Sequence, residues 1–291
     1  MYREIVPSGH LEHFVECYWT IQNVNHCTKQ EISFPDGTID LVFSLGDSYT
    51  RENMSEQRTA SFTVKTAALV GQSTHGKIIT PGRNNNLLSI RFKPFGLFPM
   101  LGIPMNELTE ESLTLQEVMK NWGTELESRV FDAHTLESRI EVIENFLNKK
   151  VALNGYIDPV VRAAVSEILI NRGNIRIETI YNKLGVSKST LESKFKMYVG
   201  ITPKELANIW RFNHAVILQK KNLERTLTEV GYMAGYFDQS HMIKDFKRYT
   251  GKSPKDFFSC NSSMNTILET GANNRFSGHY LPRGAWLNDK K

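Results

Sequence analysis

Two short segments in the C-terminal half of the chain carry polar and cationic side chains at helical spacing. These side chains are Lys188, Thr190, Lys194 and Lys196 in the first segment, and Gln239, His241, Lys244, Lys247 and Arg248 in the second. Lysine and arginine pair with phosphate oxygens, whereas hydroxyl, amide and imidazole groups hydrogen-bond to the edges of bases. Residues of these types on exposed helix faces favour binding to a polyanion such as duplex nucleic acid.

The charge of the chain is divided unevenly between its two halves. Residues 151–291 hold 21 Lys and Arg against 12 Asp and Glu, whereas residues 1–150 hold 14 against 19. The halves therefore carry net charges of +9 and −5 within a total of +4. A basic half beside an acidic half indicates a polyanionic partner for the C-terminal half alone.

The two segments are copies of one unit, offset by 51 residues. Seven of the 18 aligned pairs between Ser189–Leu206 and Ser240–Phe257 are identical, including Phe195/Phe246 and Gly200/Gly251. Each copy reads as a helix, a turn with glycine, a capping residue (Ser187 or Asp238) and a second helix ending at glycine. This is the pattern of a helix-turn-helix, so the repeat predicts two such units.

One long helix is predicted between the two units, over Pro203–Lys221. At 1.5 Å per residue it would be about 28 Å long. Successive major grooves on one face of B-DNA lie about 34 Å apart. A rigid helix of this length can therefore set two recognition helices into neighbouring grooves.

The region from Asp158 to Phe258 resembles the AraC/XylS family of transcription regulators. The most specific stretch runs from Gly235 through Asp238-Gln239-Ser240 to Pro254, and Arg211, Phe212, Ala215 and Leu218 fit the linker-helix pattern of that family. The resemblance implies a seven-helix module with two DNA-reading helices. It also implies duplex DNA as the partner, and it allows RNA polymerase, a small-molecule effector and a second copy of the chain as further partners.

The resemblance assigns roles to individual side chains by position. Base-reading residues would be Ser189, Thr190, Glu192 and Ser193 on the first helix, and Gln239, Ser240, His241 and Lys244 on the second. Phosphate contacts would come from Lys188, Lys196, Lys247 and Arg248. The first helix departs from the family pattern, because small or acidic residues stand where large or basic ones are common. Glu192 can accept a hydrogen bond from the amino group of cytosine or weaken that half-site.

The N-terminal region predicts a different architecture, because strand-like runs alternate there with turn residues. The predicted strands are Val15–Ile21, Thr38–Leu45, Ala67–Ile79 and Leu87–Phe92, with a short helix over Glu12–Tyr18 as an alternative. Helical periodicity begins near Leu97. We therefore expect an α+β chain with an N-terminal β-barrel or sandwich bearing helices, followed by an all-α domain with two helix-turn-helix units joined by a long helix. The expected boundaries are 1–152 and 153–260, with a poorly ordered tail at 261–291.

The stretches Phe34–Phe43 and Arg91–Gly96 resemble an uncharacterised β-rich domain often fused to such modules. Family analogy makes that domain a cupin-like sensor or dimerisation domain. Four polar residues there are candidates for lining a ligand pocket, namely Asp36, Asp40, Arg91 and Lys93. Turn capping and surface salt bridges explain the same residues equally well.

No catalytic constellation, metal site or cofactor motif is found in the sequence. His10 and His13 lack a third ligand, Gly71–Gly76 lacks a nucleophile elbow, and the three cysteines are far apart and show no metal-binding spacing. The first residues contain no apolar run, and no stretch suits a membrane span, so a cytoplasmic protein is expected.

The alternative that remains is an enzyme with a catalytic cupin-like domain and a helical scaffold. RNA binding is disfavoured because no aromatic platform is evident.

Overall fold

The computed structural model of the chain describes residues 2–23, 30–54 and 61–259. The N-terminal part of this region is built from short antiparallel strands. They are β1 Tyr2–Ile5, β2 Val15–Asn23, β3 Glu31–Ser33, β4 Ile39–Ser44, β5 Tyr49–Asn53, β6 Ser61–Val64, β7 Ala67–Val70, β8 Lys77–Thr80, β9 Asn85–Phe92 and β10 Ser112–Leu113. The predicted tail and two of the cysteines, Cys27 and Cys260, lie outside the described residues.

The strands form two sheets, with orders β1-β2-β9-β4-β7-β10 and β3-β8-β5-β6. Alternation along the central strands gives the first sheet two apolar faces. Ile39, Leu41 and Phe43 point to one face, whereas Val42 and its neighbours Trp19 and Leu87 point towards the second sheet. In the described residues no strand pairs with both sheets, so the expected barrel or sandwich is a sandwich.

One predicted strand is wrong. The run Ala67–Ile79 is divided into β7 and β8, which belong to different sheets. The break falls at Gly71, whose backbone lies so close to the carbonyl of Leu108 that a Cβ would not fit. The alternative helix over Glu12–Tyr18 is also wrong, because a 3-10 turn at Gly9–His13 gives way to β2.

The helices form two groups, and the first group packs on the outer face of the larger sheet. In chain order, the helices of both groups are α1 Phe98–Leu101, α2 Leu115–Met119, α3 Asn121–Asp132, α4 Leu136–Asn154, α5 Pro159–Ile170, α6 Ile177–Lys183, α7 Lys188–Tyr198, α8 Pro203–Lys221, α9 Leu227–Met233, α10 Gln239–Thr250 and α11 Pro254–Ser259. Helices α2 and α4 begin with capping boxes at Thr114 and Thr135, which satisfy backbone N–H groups of the first turn.

The second group of helices surrounds α8, which begins and ends where the sequence predicts. Phe212, Ile209 and Leu206 of α8 are buried among residues from α5, α7 and α10. Thr202 caps the helix by accepting from the backbone N–H of Glu205 at 3.2 Å. The α+β architecture with two helix-turn-helix units on one linker helix is therefore confirmed, whereas the boundary at 152/153 stays a prediction. None of the helices within the described ranges is long and apolar enough to cross a membrane.

Candidate nucleic-acid interface

The first candidate reading helix is α7. Ser187 caps it, because its Oγ accepts from the backbone N–H of Thr190 at 3.1 Å. Leu191 and Phe195, one turn apart, are completely buried against the linker helix and its neighbours. Gly200 then adopts a φ of +95°, a backbone conformation that favours glycine, and the chain turns into α8.

The second candidate reading helix, α10, repeats this construction. Asp238 caps it by accepting from the backbone N–H of His241 at 2.9 Å. Met242 and Phe246 take the buried places of Leu191 and Phe195, and Gly251 ends the helix with a φ of +69°. The sequence repeat is therefore a structural repeat.

Both helices expose equivalent faces. Positions one helical turn apart are exposed on each, namely Ser189, Ser193 and Lys196 on α7, and Ser240, Lys244 and Lys247 on α10. These residues correspond pairwise at the 51-residue offset, so each unit presents hydroxyl and ammonium groups on the side opposite its core. Among the described residues Lys196, Lys244 and Lys247 form no ion pair within 4.0 Å.

Intramolecular contacts hold some of the charged side chains of α7. Lys188 lies 3.9 Å from Glu192 one turn along the helix. Lys194 is half-buried and bonds to Asp158, the cap of α5, so it helps to fix α7 on the domain. Thr190 bonds to the hydroxyl of Ser187 at 2.8 Å. Lys194 is therefore occupied, and the exposed hydroxyl of Ser189 lies 3.0 Å from that of Ser187, whereas the side chains of Ser193 and Lys196 stay accessible.

The charged side chains of α10 divide in the same way. The guanidinium of Arg248 lies 2.9 Å from a carboxylate oxygen of Glu205 on α8 and stacks over Tyr249. It therefore contributes to the packing of α10 as well as to the positive charge of its surface. His241 is exposed, and its Nδ1 lies 3.3 Å from Asp238.

The candidate ligand residues of the N-terminal domain meet between the two sheets, with one exception. The guanidinium of Arg91 lies 2.9 Å from Asp40 and 3.6 Å from Asp36. Burial raises the pKa of Asp40 to about 6, although Arg91 opposes the rise. Asp36 also accepts from the backbone N–H of Thr38, so it makes the predicted turn. Lys93 lies apart from this cluster. Burial lowers the pKa of its ammonium group, whereas the charges of Glu16 and Glu12 act in the opposite direction.

Four buried polar atoms of this interior have no hydrogen-bond partner within the described part of the chain. They are Nε1 of Trp19, Oδ1 of Asp40, Nε of Arg51 and Nε of Arg91. Arg51 was not singled out from the sequence, although its alternation with Tyr49 along β5 would have placed both on one face. Three hydrogen-bond donors and one acceptor thus remain available between the sheets.

A second polar cluster, also not foreseen, lies where β8 meets the loop before β10. Glu110 bonds to Lys77 at 2.6 Å and accepts from the hydroxyl of Thr74 at 2.7 Å. Burial acts against its charge, but these hydrogen bonds lower the pKa of Glu110 to about 2. Lys77 also bonds to Asn53. The described ranges contain no group of three His, Cys, Asp or Glu side chains suited to a metal ion.

The loop before β4 connects the interior cluster to the linker helix. Asn213 of α8 donates to the backbone carbonyl of Pro35 at 2.9 Å. Phe34 packs edge-on against Phe212, with ring centroids 6.0 Å apart. Gly37 has a φ of +78°, which favours glycine, and a Cβ there would lie 2.7 Å from the end of the Leu206 side chain, so glycine lets the loop approach α8 closely.

The N-terminal domain also contacts the ends of both reading helices. Phe98 of α1 lies 4.3 Å from Tyr198, centroid to centroid, and Thr109 donates to the carbonyl of Gly200 at 2.9 Å. On the other side Met54 and Gly76 lie against the turn at the end of α10. One domain therefore contacts α7, α8 and α10 together.

Two protein families match separate parts of the chain. Residues 3–114 match a family described as a domain of unknown function (DUF6597). Residues 180–259 match a family described as a helix-turn-helix domain.

The chain is also similar to proteins named AraC-like transcription regulators. One from Streptomyces lividans is 33% identical over 108 residues, or 36% of this chain and 34% of the relative. One from Streptomyces antibioticus is 26% identical over 149 residues, or 51% of this chain and 48% of the relative. The chain thus spans about a third to a half of the length of these relatives.

Among solved structures, ToxT from Vibrio cholerae is similar, with a TM-score of 0.43 and 17% identity over 84% of this chain and 99% of that one. The helix-turn-helix match and the named relatives agree with the repeat observed in the fold. The chain therefore carries a helix-turn-helix domain behind its β-sandwich and is similar to proteins named AraC-like transcription regulators.

Proposed function

We propose that the chain is a sequence-specific regulator of transcription whose helices α7 and α10 read neighbouring major grooves of duplex DNA. The observation that carries this proposal is the structural repeat, in which two equivalent exposed faces stand at the ends of one linker helix. The enzymatic alternative is not favoured, since the similar proteins are named transcription regulators.

The linker helix supports simultaneous contact by both units. Its 19 residues correspond to about 28 Å, against about 34 Å between successive major grooves on one face of B-DNA. Leu206, Phe212 and Val216 are buried along the helix in one cluster with residues of both units, which fixes the helix to both.

The reading faces divide into residues that select bases and residues that hold phosphates. Base contacts are proposed for Ser189, Thr190, Glu192, Ser193, Gln239, Ser240, His241 and Lys244, and phosphate contacts for Lys188, Lys196, Lys247 and Arg248. The lysines contribute affinity through release of counterions from DNA, which makes binding depend on salt. Hydroxyl, amide and imidazole groups supply the choice of sequence.

Replacing Lys247 with alanine should weaken binding to all sequences alike and lower the slope of log affinity against log salt by about 1. The reason is that Lys247 is exposed and has no ionic partner in the described residues, so its charge is available to one phosphate. Titrations by fluorescence anisotropy at several salt concentrations measure the slope. Lys65→Ala, an equal loss of charge on the β-sandwich, serves as the control, and equal slopes for both variants would argue against the phosphate contact.

Replacing His241 with alanine should relax the sequence preference at one or two positions of the second half-site. His241 lies exposed in the first turn of α10, where reading helices contact base edges. Selection of binding sites from random DNA, performed on both proteins, gives the two preference profiles. Lys247→Ala should keep the parental profile, and an unaltered profile for His241→Ala would reject the base contact.

We further propose that a small molecule bound in the interior of the sandwich controls DNA binding. Trp19, Arg51, Arg91 and Asp40 offer unpartnered polar atoms there. A ligand with several acceptor oxygen atoms and a hydroxyl group that donates to Asp40 would satisfy them. The loop from Phe34 to Gly37 contains Asp36, and Asn213 of α8 donates a hydrogen bond to its Pro35 carbonyl. A displacement of this loop on ligand binding would therefore be transmitted to α8. Pairing of two chains through the same domain, contact with RNA polymerase and a cytoplasmic location stay predictions.

The experiment that tests the proposed function is selection of genomic DNA fragments on the purified chain, followed by gel shift. We expect enrichment of fragments that share a motif spanning two turns of the duplex. Retention of fragments without any common motif, at an affinity equal to that for random DNA, would contradict sequence-specific regulation.

A further inference from the structure

Phe237 is the most exposed large hydrophobic side chain among the described residues, at 86% of its full accessibility. It stands immediately before Asp238, the cap of α10, at the corner where the second helix-turn-helix unit enters its reading helix. A phenylalanine this exposed loses the free energy that burial of its ring would give. Its place beside the reading face therefore calls for a functional reason.

The first unit shows that the fold does not require this ring to be exposed. The residue equivalent to Phe237 is Val186, which is half-buried and packs against the core of the domain. In the second unit the preceding residue, Tyr236, is buried in that core at 3% exposure. Tyr236 thus anchors the corner, and Phe237 is left outside without a structural role.

The surroundings of Phe237 belong to the proposed DNA interface. Gln239, Ser240 and His241 follow it on the first turn of α10, and all three are exposed. Lys244 lies one turn further on the same face. An apolar ring flanked by polar and cationic groups matches a major groove, in which the thymine methyl is the apolar group beside hydrogen-bonding edges and phosphates.

We infer that Phe237 contacts the 5-methyl group of a thymine at the edge of the second half-site and determines the preference for that base pair. The inference rests on the proposed function, since it requires α10 to lie in the major groove. The N-terminal residues of a recognition helix are those that reach base edges. Phe237 precedes this end, so it reaches a base pair beside those read by Ser240 and His241.

The test replaces each thymine of the selected second half-site by deoxyuridine, which removes only the methyl group. For the parent protein, one such substitution should weaken binding about fourfold, the effect of a lost buried methyl group. Phe237→Ala should bind the thymine site about as weakly as the parent protein binds the deoxyuridine site, and its affinity should be the same for both sites. Phe237→Leu should restore part of the discrimination, because leucine keeps an apolar contact. Leu223→Ala, which removes another exposed apolar side chain at the α8–α9 connection, is the matched control and should behave like the parent.

The other outcomes overturn the inference in distinguishable ways. Equal binding of thymine and deoxyuridine sites by the parent protein, with sequence-specific binding intact, would reject the methyl contact and leave the proposed function standing. Unchanged DNA binding by Phe237→Ala with lost transcription in a reconstituted reaction would assign the ring to a protein partner instead. If the parent protein showed no sequence preference at all, that result would contradict the proposed function itself.

Discussion

Replacing Phe246 with alanine should lower the free energy of unfolding by about 3–5 kcal/mol, the cost of truncating a fully buried phenylalanine. Its ring is completely buried, with centroids 4.9 Å from Phe212 and 5.7 Å from Phe257. It therefore joins α10, α8 and α11 in one aromatic cluster. Chemical denaturation followed by circular dichroism measures the loss.

The chain supplies its own matched control for this prediction. Phe237→Ala deletes the same side chain nine residues earlier, but at an exposed position. Such a surface substitution should change stability by less than about 0.5 kcal/mol. Similar unfolding curves for the two variants would show that Phe246 does not hold the second unit on the linker helix.

Replacing Arg91 with methionine should also lower the stability by about 3–5 kcal/mol, because the largely buried carboxylate of Asp40 loses the cation that lies 2.9 Å from it. Arg91 is 8% exposed and lies within 2.9 Å of Asp40 and 3.6 Å of Asp36. The exposed Arg129, whose one ion pair among the described residues is with Glu125 on its own helix, provides the control variant Arg129→Met. Its expected effect is within about 0.5 kcal/mol.

The loss in Arg91→Met should depend on pH in a direction that the structure fixes. Burial raises the pKa of Asp40 to about 6, and removal of Arg91 raises it further. A carboxyl with a raised pKa stabilises the fold fully below its unfolded pKa of about 3.9 and loses that contribution as pH rises through the folded value. The loss should therefore be smaller at about pH 5 than at about pH 7.5. Adding Asp40→Asn to the variant should reduce this difference, and an unchanged difference would assign the titration to another group.

The sequence could predict the helix-turn-helix units because their determinants are local. Within each unit the capping residue, the apolar pair one turn apart and the glycine with positive φ (+95° or +69°) all lie within about twenty residues of each other. The bounds of α8 followed from Pro203 at its start and from an apolar stripe that continues to its end. Here propensity, capping and burial agree, so no distant contact was needed.

The remaining features depend on contacts between residues far apart in the chain. The run Ala67–Ile79 was predicted as one strand, but it divides between two sheets at Gly71, where the backbone of Leu108 leaves no room for a Cβ. Asp36, Asp40 and Arg91 were foreseen as a group, but Lys93 does not join them, and Arg51 joins from a strand of the other sheet. The bond from Asn213 to Pro35, across 178 positions, has no local signal at all.

The central claim is that one chain places α7 and α10 in successive major grooves, at a spacing set by α8. Hydroxyl-radical footprinting and guanine methylation interference on the selected site measure this directly. We expect two contacted segments on one face of the duplex, with centres about 10 base pairs apart. Insertion of about five base pairs between the two segments should abolish the second contact. A single contacted segment, or binding that tolerates the insertion, would contradict it.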